Sequence, residues 1–170
     1  MKKIIFGFAV LLMVVAAVGS VWALNWQMVI QPQFDDAQTF SEGLAAVYIG
    51  GKWGFIDQTG KIVINPRFDK VGRFSQGLAP VWTGGMFGGK WGFIGRDGNY
   101  VIQPQFDGAL PFSEDLAAVA INGKWGFINT SGQFMINPQF DKAGDFSQGL
   151  APVWRGGIFG GKWGYISKQP

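Results

Sequence analysis

The chain has 170 residues, enough for one domain of ordinary size, and its 48% hydrophobic against 15% charged residues mark it as globular rather than disordered. Without Lys2 and Lys3, which belong to a leader, Lys+Arg falls from 14 to 12 against 11 acids, and no basic cluster remains to neutralise phosphates, so no nucleic-acid partner is expected. Cysteine and histidine are both absent, which excludes disulfides, thiolate zinc sites, cysteine nucleophiles and every histidine-based triad or metal site.

Residues 1–23 read as an export signal. Lys2 and Lys3 form a positive start, Ile4 to Val18 is an almost unbroken apolar run, and Val21-Trp22-Ala23 offers a cleavage site ahead of Leu24. The alternative is an uncleaved anchor, since Ile4–Ala23 is just long enough to span a bilayer. Either reading puts the rest of the chain, 24–170, outside the cytoplasm: periplasmic, in the cell envelope or secreted. Only an uncleaved leader would touch the membrane.

From Met28-Val29-Ile30 onward, three phrases recur in fixed order. Ile-x-Pro-x-Phe-Asp begins at Ile30, Ile64, Ile102 and Ile136. Phe-Ser-[Glu/Gln]-[Gly/Asp]-Leu-Ala begins at Phe40, Phe74, Phe112 and Phe146. Lys-Trp-Gly-aromatic-Ile begins at Lys52, Lys90, Lys124 and Lys162. The body therefore holds four repeats, about 29–62, 63–100, 101–134 and 135–170. Trp53, Trp91, Trp125 and Trp163 are spaced by 38, 34 and 38 residues, because Gly84–Gly89 and Gly156–Gly161 are inserted in the second and fourth units. Segment 29–98 matches 101–170 at roughly two thirds of positions, so the body is a doubled short–long pair.

These phrases resemble the WG repeat family of bacterial β-repeat proteins, over nearly all of Val29 to Ile166. The resemblance implies a β-rich repeat array and implies little about activity.

Within the first unit, Leu44–Tyr48 has strand length, Gly50-Gly51 reads as a tight turn, and Lys52–Ile56 is the next strand. Trp53 and Phe55 fall on one face of it. Gly54 falls on the other, leaving room for close backbone approach, as Gly92, Gly126 and Gly164 do in the later units. Asp57–Gly60 is a turn, Ile62–Ile64 returns, and Pro66 is expected to end that strand because it cannot donate to a ladder. The expected unit is thus a three-stranded antiparallel sheet, in an all-β array of four tandem units stacked to hide their apolar faces. No apolar stripe at helical spacing survives the glycines and prolines. The body starts with a lone returning strand and closes with a Lys-Trp-Gly strand, so two arrays are open to it: a propeller-like one closed by pairing Val29-Ile30 with Tyr165-Ile166, or an open one with frayed ends.

Candidate chemistry is sparse. Asp35, Asp69, Asp107 and Asp141 invite an acid–base reading, as in glycoside hydrolysis, but fourfold recurrence favours turn caps bonded to an N–H two residues on. Glu42 and Glu114 alternate with Gln76 and Gln148, which reads as a polar loop position rather than a reactive one. Ser41, Ser75, Ser113 and Ser147 lack a histidine base. Lys52, Lys90, Lys124 and Lys162 read as edge-strand charges. No calcium-loop or phosphate-loop spacing occurs, so no catalytic residue, metal or cofactor is expected.

Trp53, Trp91, Trp125 and Trp163 read as structural. Trp82 and Trp154 occur only in the long units, beside loops carrying Met86-Phe87 and Ile158-Phe159; apolar tips between glycine pairs either fold down onto the sheet or are offered to a partner, and in the second case these six residues are the expected ligand contacts. The expected role is non-enzymatic binding of an envelope protein or glycan. A spacer array without a ligand and a carboxylate-based hydrolase are the alternatives.

Overall fold

A computed structural model describes residues 27–85, 88–157 and 160–168. The leader reading, and the tips Met86, Phe87, Ile158 and Phe159, lie outside the described residues.

Every regular element described is a strand, and the strands form four small antiparallel sheets in chain order. Sheet 1 is β1 (Asp36–Ala37), β2 (Leu44–Ile49), β3 (Lys52–Asp57) and β4 (Ile62–Phe68), hydrogen-bonded in that order. Sheet 2 repeats it with β5 (Lys70–Val71), β6 (Ala79–Thr83), β7 (Lys90–Ile94) and β8 (Tyr100–Phe106). Sheet 3 has β9 (Gly108–Ala109), β10 (Ala117–Ile121), β11 (Lys124–Ile128) and β12 (Phe134–Phe140). Sheet 4 has β13 (Lys142–Ala143), β14 (Leu150–Gly157) and β15 (Gly160–Ser167).

Two expectations change. Each unit gains a two-residue strand from the crossing segment, so the first three sheets have four strands. The proline strand continues past Pro66 to Phe68 and closes its own sheet. The register explains how: Trp53 faces Phe68 but Phe55 faces Ile64, so two extra residues of β4 are absorbed opposite Gly54. A Cβ on Gly54 would lie 2.5 Å from Ile64 O and 2.7 Å from Pro66 N. The glycine thus makes space for a bulge in which proline's missing N–H costs nothing. Gly92 and Gly126 meet the same two atoms of their own sheets at 2.6 and 2.8 Å and at 2.4 and 2.7 Å.

The structure also decides between the closed and the open array. β15 pairs with β14 on one edge, and residues 27–35 join no sheet. The described array is open rather than propeller-like. Trp163 and Tyr165 are 56% and 71% exposed on β15, and Val29 is 69% exposed at the other end.

The core lies between consecutive sheets rather than within them. Phe55, Ile64 and Phe68 of sheet 1 pack with Phe74, Ala79, Val81 and Ile94 of the second unit. Equivalent clusters join units two and three, and units three and four. At each junction one ring crosses from the next unit: Phe74 meets Phe55 at 4.9 Å between centroids, Phe112 meets Phe93 at 5.0 Å, and Phe146 meets Phe127 at 5.0 Å. Such edge-on or tilted pairs add specific geometry to the apolar burial that holds the stack. On the outer face of sheet 1, Ile30 and Phe34 cover Ala45, Val47 and Ile56.

Candidate functional site

The conserved geometry of the repeat is built around its aspartate. Asp69 sits where β4 hands over to β5, and its Oδ1 accepts a hydrogen bond from Lys52 Nζ. Its Oδ2 accepts from Gly84 N and Gly85 N at 3.3 and 3.5 Å, across the hairpin of the following unit. Asp107 is held by Lys90 and by Asn122 N, and Asp141 by Lys124 and Gly156 N. The lysine bond above all holds Asp69 and Asp107 below the usual carboxylate range, with the turn N–H groups adding to it. For Asp141 the Gly156 N–H is the larger cause and Lys124 the second.

The aspartates are therefore turn anchors, but not in the expected way. They reach N–H groups 15 or 16 residues on rather than two. Their lysines are ion-pair partners rather than free edge charges. The sequence carried this signal in the constant offset of 17 between Lys52 and Asp69, Lys90 and Asp107, and Lys124 and Asp141. The first copy departs from the pattern: Asp35 Oδ2 accepts from Gly50 N at 3.1 Å and meets no lysine among the described residues.

A second row of contacts joins the Phe-Ser-[Glu/Gln] turns. Glu42 accepts from Gln76 N at 2.6 Å and Gly77 N at 3.0 Å, while Ser41 Oγ donates to Phe74 O at 2.7 Å. Gln76 exchanges two bonds of 3.0 Å with Asp115. Glu114 accepts from Gly149 N, and Ser113 Oγ donates to Phe146 O at 2.6 Å. The Glu/Gln alternation is a structural seam that stitches each turn to the next.

The inserted loops begin above two tryptophans. Trp82 pairs with Trp91 across β6–β7, and Trp154 with Trp163 across β14–β15. Both Trp82 and Trp154 are half-buried. Lys70 Nζ lies 5.2 Å above the Trp82 ring, and Lys142 Nζ 5.7 Å above the Trp154 ring. The loop glycines lie flat on these indoles: a Cβ on Gly89 would fall 2.6 Å from Trp82, and one on Gly161 would fall 2.3 Å from Trp154. The insertions are glycine-rich at their bases because an aromatic floor sits directly beneath them.

The shared tryptophans divide. Trp53, Trp91 and Trp125 are half-buried against their own proline strands, whereas Trp163 is 56% exposed. The glycines divide likewise. Gly54, Gly92 and Gly126 have no room for a Cβ, and Gly164 has nothing within 4 Å. Among the described residues no group of three or more acidic side chains is gathered to hold a metal ion. A cavity of about 500 Å³ lies between sheets 3 and 4, with Leu116, Met135, Ile136 and Phe146 in its wall.

Four sheets of one design, stacked through one aromatic contact and stitched by one ion pair, define a tandem β-repeat protein. The family model for the WG containing repeat matches residues 27–53, 53–85, 91–125 and 125–157, and the chain belongs to that family. No curated protein and no solved structure matches it.

Proposed function

We propose that this WG-repeat protein is an exported, non-enzymatic binding module whose two inserted loops engage a protein or glycan of the cell envelope. The observation that carries the reading is the placement of Trp82 and Trp154. Each is a partly accessible indole beside a glycine-rich loop, and the two occupy equivalent positions in sheets 2 and 4. A lysine and the loop glycines lie against each ring, so what a partner meets is the part of the indole left open at the loop base, and partly accessible indoles anchor protein and glycan contacts alike. The repeat aspartates are engaged by lysine and turn N–H groups, which argues against acid–base work by them.

Export rests on the leader. Mass spectrometry of the processed protein should find a chain starting at Leu24, and an intact Met1 would instead make residues 1–23 an anchor. Binding is tested with a glycan array and purified envelope proteins, using a chain in which Met86, Phe87, Ile158 and Phe159 are all serine. Capture by the wild type and its loss in the variant, at unchanged melting temperature, is the expected result. Equal capture by both chains would remove the loops from the site. A chain that captures neither class would favour a spacer role.

A further inference from the structure

The two ends of the described array are complementary halves of a strand pairing that the molecule builds three times inside itself. Within each of sheets 1 to 3 the Lys-Trp-Gly strand receives an Ile-x-Pro-x-Phe-Asp strand on its outer edge, with Trp53 opposite Phe68, Trp91 opposite Phe106 and Trp125 opposite Phe140. The fourth Lys-Trp-Gly strand, β15, has that edge open among the described residues, and the first Ile-x-Pro-x-Phe-Asp segment, Ile30–Asp35, belongs to no sheet.

We infer that these halves join between two copies of the chain, residues 28–35 of one copy adding the fourth strand to sheet 4 of another. Three observations fit. The space beside Gly164 is empty, where the corresponding space beside Gly54 is filled by Ile64 O and Pro66 N, so the backbone at Ile30 and Pro32 has a place to enter. Asp35 meets no lysine and Lys162 no aspartate among the described residues, so the one ion pair missing from the series would form across the contact. Phe40 is 44% exposed and Tyr165 71%, although their equivalents Phe74 and Phe55 pack ring to ring and are fully buried. Registers carried over from sheet 1 place Trp163 opposite Phe34 and Tyr165 opposite Ile30 of the incoming copy.

The incoming segment is already shaped for this. Ile30 lies against Gly60 as Ile64 lies against Gly98 and Ile102 against Gly132. Asp35 N donates to Tyr48 O at 3.0 Å, as Asp69 N does to Trp82 O at 3.0 Å. Residues 28–35 thus hold the position of a proline strand on the unit that follows, with the partner strand absent. Docking leaves both bodies as they are, and strand addition at an open edge supplies the main-chain bonds. The contact is head-to-tail, so each copy keeps one free end and the series grows or closes as a ring.

Light scattering on the purified chain over a hundredfold concentration range tests this. The wild type should rise from the mass of one chain to at least twice that mass. Gly164→Val, whose Cβ has nothing of its own chain within 4 Å, should stay at one chain with an unchanged melting curve. Association through residues 1–23 would be common to both chains and would survive the substitution. Should Gly164→Val fold poorly, Lys162→Asp replaces it. It should also stay at one chain, and Asp35→Lys added to it should restore growth by reversing the pair. A wild type that remains at one chain throughout overturns the inference. A lowered melting temperature for Gly164→Val in that case would point to closure within a single chain. Growth that neither substitution alters overturns it as well.

Discussion

At the scale of single residues, backbone access and charge pairing decide most of what is invariant. Gly92 is fixed because a Cβ would sit 2.6 Å from Ile102 O, against backbone that cannot step aside. Gly92→Ala should cost about 2–3 kcal/mol, seen as a melting temperature lowered by roughly 5–10 °C. Asp69, Asp107 and Asp141 have depressed folded-state values, so their stabilisation is present above the ordinary carboxylate value of about 3.9. It is lost as pH falls through their lower folded values. A melting series from pH 6 to pH 2 should therefore drop most steeply below about pH 4. Replacing Lys52 and Lys90 by methionine should flatten that drop.

Asp145 has the opposite sign. Burial raises its carboxyl, with Arg73 pulling it back only in part, and its Oδ1 is buried without a hydrogen-bond partner. The charged form is thus disfavoured on folding, so Asp145→Asn should raise the melting temperature at pH 7. The gain should shrink toward acid pH, where the native carboxyl is already protonated. The value of the glycine after tryptophan was legible in the sequence, because recurrence of a residue without a side chain points to close approach. The lysine–aspartate pairing was not read there. Its partners are 17 residues apart, and only the bulge geometry brings them together.

At the scale of elements, the hairpin from β2 to β4 and its copies were readable from strand-length apolar runs and glycine turns. The two-residue turns carry positive φ at both central positions, 56° and 87° at Gly50-Gly51 and 50° and 74° at Asn122-Gly123, as tight hairpins of the primed type require. What escaped was the reach of β4. Proline reads as a terminator, yet an edge strand opposite a glycine bulge has no N–H demand at that point, so the strand runs on to Phe68. The two-residue strands β1, β5, β9 and β13 were also hidden, being too short to show periodicity.

The long hairpins differ from the short ones by their insertions, and Asp69 holds the first residues of its loop as Asp35 holds Gly50. Replacing 84–89 by a two-residue Asn-Gly turn should leave the fold intact. We expect a melting temperature within about 4 °C of the wild type, since a change near 1 kcal/mol moves it by that much. A larger fall would mean that the insertion supports the sheet rather than a partner.

At the scale of the whole molecule, the stack is a line of equivalent interfaces with unequal ends. Phe112 is fully buried at the central junction against Phe93, and Phe112→Ala should cost about 3–5 kcal/mol, measured by denaturant titration. Phe40→Ala removes a ring that is 44% exposed, and in dilute solution it should cost under about 1 kcal/mol. The all-β class, the fourfold count and the short–long alternation were all legible, because repetition survives without knowledge of contacts. Closed or open was the choice the sequence left standing, and the described array is open. Complementary terminal strands satisfy the same pairing rule within one chain or between two, and sequence alone does not say which.

The seam of turns described above has a further consequence for how the chain folds. Glu42 bonds to Gln76 and Gly77, Gln76 to Asp115, and Glu114 to Gly149, so each link joins a unit only to the one after it. Because the links run between neighbours, a sheet can dock as soon as the next has formed, and assembly can keep pace with synthesis. Amide hydrogen exchange should then be graded along the sequence, slowest in β6–β8 and β10–β12 and fastest in the two outer sheets, in place of a single rate for the whole body.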